Sequence, residues 1–453
     1  MVISMIGPAT LETPPYARDG KLCAMALIPL QSADGHAVTA NGIGSDGRVV
    51  GNLHRAEVPE YPAYQWSSGV FQLLAESPDT LLAEGFSVNG QGVICGTDGP
   101  APFATRAAVW RSSGQSIQHL GTLGGTDSWA FDLNESEQIV GWSEIEVGSG
   151  DRQAILWNDS GYTILGDLGF PHSEAYAINE SGEVVGMSWT AELDSRAFHW
   201  QAGVMTDLGT LGGSHSWAYD INDNGWIAGR ASTGTSTPGV IWIDGVAQVL
   251  PGHDARPVAI NNLGDVVGAS WTRSGRKGLA VWIDFELHNL EECVAPNHRW
   301  NFDSDLWSWV DDINDNRQIV GRMPNVDQTR SNAQGFIMSP VTWTASLELV
   351  GGAPGVAGGV NTLTADGFTP GARVYFVYSR HGGGAMIPGC SLLDNALQID
   401  DPQIAGRATA DTNGVATLTA FVPAAAASLG EIVIQAVDPT TCEISDWIAV
   451  RFE

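Results

Sequence analysis

The 453-residue chain is poor in charge and nearly free of lysine. Charged residues make up 16%, Lys+Arg number 21 against 51 Asp+Glu, and the only lysines are Lys21 and Lys277. The net charge of −30 argues against nucleic acid and anionic lipid as partners, because both are recognised by Lys/Arg-rich surfaces. It is compatible with a cationic ligand, a salty medium or simple solubility. No apolar run reaches the ~18 residues of a membrane-spanning helix. Residues 1–20 lack a basic region followed by a sustained apolar stretch, so they do not read as a signal peptide. Enzyme signatures are also missing: there is no Gly-x-Ser-x-Gly, no His-Glu-x-x-His, no Walker loop and no EF-hand loop. No cofactor and no metal are expected. The five cysteines show no zinc-type spacing. Cys390 and Cys442 flank strand-like runs in the same C-terminal segment and are expected to pair, whereas Cys23, Cys95 and Cys293 read as unpaired or incidental.

Glycine (55 residues) and tryptophan (17 residues) are abundant, which suits many short strands joined by tight turns. They are also periodic. An apolar pair followed by glycine ends at Gly51, Gly96, Gly141, Gly186, Gly229, Gly268 and Gly321, in steps of 45, 45, 45, 43, 39 and 53 residues. A second anchor ends in Trp66, Trp110, Trp157, Trp200, Trp242 and Trp282, with Met338 in the seventh place. Seven residues before each anchor glycine stand Gly44, Asn89, Asn134, Asn179, Asn222, Asn261 and Asn314. Asparagine and glycine tolerate positive φ, so this segment reads as a hairpin turn with a structural asparagine. Four strands in roughly 40–45 residues is the length of one propeller blade. The expected fold is therefore all-β: a seven-bladed β-propeller followed by a β-sandwich domain.

The wording of the repeat resembles a known family. Leu208-Gly209-Thr210-Leu211-Gly212-Gly213, with Ser216, Ala218, Ile221-Asn222 and Ile227-Ala228-Gly229, resembles the HAF-repeat proteins of bacteria, as does Ala197-Phe198-His199-Trp200. The motif recurs at Leu120-Gly121-Thr122-Leu123-Gly124-Gly125. The resemblance covers roughly residues 26–340 and implies a propeller-like, extracellular protein without an assigned activity. It carries over no catalytic residue.

Domain limits follow from the same pattern: an extension over 1–25, the propeller over 26–344 and an immunoglobulin-like sandwich over 345–453. Blade seven lacks a clear fourth strand, and Ala26-Leu27-Ile28-Pro29-Leu30 looks like one, so it is expected to close the ring and remove a free edge. After Thr344 the Trp anchors stop and strand-like runs alternate with Pro-Gly and Asn-Gly turns.

Long b–c loops point to the face that carries the d–a and b–c loops. Five residues before the asparagine column stand Glu84, Trp129, Glu174, Trp217, Arg256 and Trp309; seven before it stand Asp127, His172, His215, Asp254 and Trp307. These are expected to ring the channel mouth, where tryptophans among carboxylates and histidines could stack a sugar or hold a cation. The alternative is that the tryptophans plug the channel. Asp132, Asp220 and Asp312 recur two before the asparagine and read as structural hydrogen-bond acceptors between blades, with a cation site as the sharper alternative. Trp189, Trp271, Arg273, Arg276 and Lys277 read as solvated surface on the mouth side. The leading expectation is a monomeric, non-enzymatic binding or scaffold protein, secreted or at the cell surface, that recognises a glycan, peptide or protein. A propeller hydrolase or lyase acting at the same mouth, and a purely structural assembly unit, are the alternatives.

Overall fold

The computed structural model describes residues 25–30, 32, 36–54, 61–100, 104–111, 114–271, 275, 277–294, 298, 300–303, 308–324, 334–340, 346–350, 355–386, 390, 396–399 and 402–452. Each repeat folds into one antiparallel sheet whose strands lie side by side in chain order. In blade five these are Ser216–Ile221, Ile227–Ala231, Gly239–Ile243 and Val246–Val249, here called a to d. Blades two, three, four and six, at 82–119, 128–166, 169–207 and 256–289, repeat that order. Blade one differs, because its inner strand is broken into Ala37–Val38 and Gly42–Ile43, both paired with Val49–His54. Blade seven takes Trp309–Ile313, Ile319–Met323 and Gln334–Pro340 from the end of the repeats. Its fourth strand is Met25–Pro29, antiparallel to Gln334–Pro340 in a register running from Met25 opposite Pro340 to Pro29 opposite Phe336.

The repeat anchors have physical roles. Trp110, Trp242 and Trp282 are fully buried between blades. Their indole N–H groups donate to the carbonyls of Ala75, Leu208 and Pro251 in the preceding d–a connections. The anchor glycine faces a bulge. Strand a shifts register at the same place in blades two to seven, at Gly85/Ser87, Ala130/Asp132, Ala175/Ala177, Ala218/Asp220, Pro257/Ala259 and Val310/Asp312. A Cβ on Gly141 or Gly229 would stand 1.8 or 2.0 Å from the carbonyl oxygen of Trp129 or Trp217, so no larger residue fits opposite the bulge.

The asparagine column corrects the expected reason for its presence. None of these asparagines has positive φ; the left-handed residue lies three further on, at Gly47, Gly92, Glu137, Gly182, Gly225, Gly264 and Arg317. The asparagine instead binds both ways. Oδ1 of Asn222 accepts from the backbone N–H groups of Asn224 and Trp226, while Nδ2 donates to the Asn261 carbonyl in the next blade. The same step runs from Asn89 to Asn134, Asn134 to Asn179, Asn179 to Asn222, Asn261 to Asn314 and Asn314 to Gly44. This belt encircles the ring and is interrupted at Gly44, which has no side chain to donate. There, between blades one and two, Asn41 Nδ2 donates to the Gly85 carbonyl instead.

Beyond the propeller, Ser346–Leu349, Gly359–Asp366 and Ala416–Val422 form one sheet. Gln403–Thr409, Arg373–Ser379, Glu431–Asp438 and Glu443–Arg451 form the other. Leu347, Leu363, Phe368, Val374, Phe376, Ile434 and Phe452 fill the space between them. The four-stranded sheet is apolar on its second face too. Val377, Val433 and Val437 there join an apolar cluster that runs through Cys390 and Leu397 to Ala26 and Ile28. A hairpin of Gly382–Met386 and Ala396–Ile399 lies against the strand Met25–Pro29. A disulfide joins Cys390 to Cys442. Cys95 is free and buried. Cys293 departs from the unpaired reading: it is disulfide-bonded, to a partner outside the described residues, which also leave out Cys23. No helix among the described residues is long and apolar enough to cross a membrane.

Candidate functional site

Strand a is the innermost strand of each blade, and its bulge decides which side chains meet on the axis. Strict alternation would send consecutive residues to opposite faces. The inserted residue breaks that parity, so two neighbours turn toward the channel. A cavity of about 550 Å³ results, walled by Phe86 and Ser87, Phe131 and Asp132, Tyr176 and Ala177, Tyr219 and Asp220, Val258 and Ala259, and Asp311 and Asp312, with Asn41 from blade one. Arg230, Arg256 and Trp309 line it as well.

The walls are unequal. Phe86, Phe131, Tyr176 and Tyr219 form a continuous aromatic arc over blades two to five, with successive ring centroids 5.7, 5.8 and 6.4 Å apart. The same column holds Val258, Asp311 and Asn41 in blades six, seven and one. Asp132, Asp220 and Asp312 are fully engaged, as the structural reading expected. Their Oδ2 atoms accept from the N–H groups of Ile178, Ile260 and Ile43 in the adjacent blades, at 2.9, 2.7 and 2.8 Å. Their Oδ1 atoms accept from the following residues Leu133, Ile221 and Ile313. Burial in the ring pushes the Asp132 carboxyl up to about 6 and that of Asp312 to about 7, and raises Asp220 well above the ordinary value. No cluster of three or more His, Cys, Asp or Glu suited to a metal ion exists among the described residues.

Asp311 differs from these three. Its Oδ2 is buried with no hydrogen-bond partner. Burial lifts its carboxyl to about 6, against the opposing pull of the Arg322 guanidinium, whose Nε is also unpartnered. Burial likewise raises Glu84, again against Arg322.

Of the residues expected at the mouth, the cavity wall includes Trp309, which is 44% exposed, and Arg256. Asp254 holds Arg256 in place: its carboxylate takes ion pairs from Arg230 and Arg256 at 3.1 Å and from Lys277 at 3.2 Å. Burial works to raise Asp254, but the Lys277 hydrogen bond and the three cations hold it below its ordinary value. Lys277 is therefore a buried ion-pair partner and not solvated surface. Arg273, Arg276 and Trp307 lie outside the described residues.

Glu174 stands one step behind the cavity wall. It accepts from Arg152 at 2.6 Å and from the Tyr176 hydroxyl at 3.1 Å. Trp129 caps the arc, with its ring 5.6 Å from Phe86 and 5.9 Å from Phe131, while its N–H donates to Thr105 Oγ1. Trp217 stacks on His215, whose Nδ1 is 3.2 Å from Ser195 Oγ. Asp127 accepts from the backbone N–H and hydroxyl of Thr105. His172 packs on Trp189, and burial lowers its pKa. Trp309 and Arg256 thus reach the cavity, whereas Asp127, His172 and His215 hold loops. Missed by the sequence reading were Phe86, Phe131, Tyr176, Tyr219 and Asp311. All five occupy the column three before the asparagine, whose residue type changes around the ring, and that variation was the available signal.

No family model and no curated protein matches the chain. Among solved structures it is similar to the β-propeller domain of the Trilobed protease from Pyrococcus furiosus, at 10% identity and a TM-score of 0.43, over 67% of this chain and 97% of that one. It is also similar to a puromycin hydrolase, at 11% identity and 0.46, over 75% of this chain and 61% of that one. A copper-bound fungal alcohol oxidase of the AA5 family aligns over 95% of this chain and 100% of its own, at 12% identity and 0.43. Likenesses this distant carry no argument; the propeller is shown by the chain's own blades.

Proposed function

We propose that this is a non-enzymatic binding protein that takes up its ligand at the mouth and upper channel of the propeller. The ligand class at the mouth is a glycan, peptide or protein. The observation that carries the reading is the cavity of about 550 Å³, walled by aromatic rings and four aspartates and rimmed by Trp309 and Arg256. A concave, largely apolar site with a few polar groups is the usual form of a ligand pocket. Placement outside the cell is supported by two cysteine pairings, one at Cys390–Cys442 and one at Cys293, since disulfides persist in oxidising compartments. The HAF-repeat resemblance agrees with that placement. A glycan and peptide array tests the binding reading. A Trp217→Ala/Trp309→Ala variant is expected to lose any hit, and a hit that survives the double change places the site elsewhere.

A second reading, acid–base catalysis at the same mouth, draws on Asp311 and Asp312, whose carboxyls sit at about 6 and about 7, close to where a general acid works best. Against it, both Asp312 oxygens already accept backbone N–H groups. Turnover of a polysaccharide or ester panel, lost in Asp311→Asn, would favour this reading.

A further inference from the structure

The geometry points to an organic ammonium ion as the group bound deep in the channel, its charge at Asp311 and its carbon body against the arc Phe86–Phe131–Tyr176–Tyr219. This rests on the reading of the channel as a ligand site and names the chemistry of its inner end. In a seven-membered ring, blade seven stands opposite blades three and four. Asp311 therefore faces Phe131 and Tyr176 across the axis, at the same level of the strand-a ladder. An aromatic wall opposite a carboxylate is complementary to a cation with an apolar body, because ring faces and carboxylate both carry negative potential.

The other charged groups around the cavity narrow the choice to Asp311. Asp132, Asp220 and Asp312 spend their oxygens on backbone N–H groups of the ring. Arg230 and Arg256 enter from the mouth side and are held by Asp254. Tyr176 donates its hydroxyl to Glu174. Glu84 receives Asn52 Nδ2 at 3.1 Å. Arg322 makes no hydrogen bond through its Nε and acts on Asp311 through its charge. That leaves Asp311 as the lining carboxylate with a buried oxygen that has no partner. Ca²⁺ or Mg²⁺ does not suit the site: each takes about six or more oxygen ligands, and the facing wall is carbon. An ammonium needs one carboxylate and a π surface.

Three probes of one shape decide the matter: benzylamine, benzyl alcohol and benzoate, titrated against the full chain by ligand-observed NMR. For molecules of this size the dissociation constant expected is on the order of millimolar. Benzylamine is expected to bind at least tenfold more tightly than the alcohol or the acid. Asp311→Asn, which keeps the shape and removes the charge, is expected to abolish that preference. Phe131→Leu is expected to weaken benzylamine several-fold while the fold, followed by circular dichroism, is retained. Benzylamine affinity is also expected to fall between pH 8 and pH 5, as the Asp311 carboxyl gains its proton. Equal binding of amine and alcohol, an unchanged preference in Asp311→Asn, or no amine binding at roughly 10 mM would each overturn the assignment. Array hits that vanish in Trp217→Ala/Trp309→Ala, alongside absent amine binding, would reject the cation and leave the mouth reading standing.

Discussion

The two ends of the channel obey different rules. At the turn end, six asparagines repeat one arrangement and tie six of the seven blades to the next. Toward the mouth, equivalent positions hold glutamate, tryptophan and arginine, and each makes its own contacts. Uniformity marks what every blade must do to belong to the ring. Departure from uniformity marks what only this protein does. A repeat therefore identifies an architecture readily, and its function resides in the columns where it fails.

The comparison can be broken most severely at the closing strand. Met25, Ala26, Leu27 and Ile28 are buried, and each large apolar side chain contributes about 1.5–3 kcal/mol. Removing residues 1–30 is expected to abolish the cooperative unfolding transition of the propeller; an unchanged melting curve would show that blade seven stands on three strands. Next in size is the belt. Asn222→Ala strips one buried cross-blade donor and leaves the half-buried N–H of Trp226 without its acceptor, an expected loss of about 2–3 kcal/mol. Trp309→Ala at the other end is expected to cost under about 1 kcal/mol while removing ligand. Denaturant titration of both variants tests the division of labour, and equal losses would erase it.

A smaller effect should appear with pH. Asp132 and Asp311 titrate at about 6 and Asp312 at about 7 in the folded chain, above the ordinary aspartate near 4. The folded state thus retains protons that the unfolded chain releases, and stability falls as pH rises from about 4 to about 7. A higher melting temperature at pH 5.5 than at pH 8 is expected. Asp311→Asn should flatten part of that slope and be more stable than the parent at pH 8, because it loses no hydrogen bond at Oδ2. The smallest change is Gly44→Asn, an attempt to complete the belt. A Cβ there meets Asp46 Oδ1 at 3.2 Å and Val88 at 3.3 Å, so crowding is expected to offset the new bond and leave the midpoint within about 0.5 kcal/mol.

The blades were legible because Trp242-like and Gly229-like anchors answer to packing, which acts alike in every repeat. Asn222 was legible as structural, but for the wrong reason: its side chain works by hydrogen bonding, and the strained backbone belongs to Gly225. The cavity was legible only at its rim. Taking the first residues of strand a as the ring around the mouth reached Trp309 and Arg256 but not the next step inward, where the bulge at Ala218/Asp220 and its counterparts turns Tyr219 and Asp220 inward together. A bulge leaves only a faint trace in sequence, here the glycine that faces it. Lys277 was misjudged for a related cause, since its partner Asp254 lies in another part of the blade.

The pairing of Met25–Pro29 with Gln334–Pro340 also sets a schedule for synthesis. At about 5–20 residues per second, the first strand leaves the ribosome roughly 15–60 s before its partner exists. During that interval an apolar segment waits with no sheet to join, while six blades can already stack beside it. Closing the ring is then a meeting of its first and last strands, and the hairpin of the C-terminal domain that covers the same strand arrives later still. Whatever holds that early segment out of trouble, a chaperone or delayed collapse, acts on about five residues at the very start of the fold.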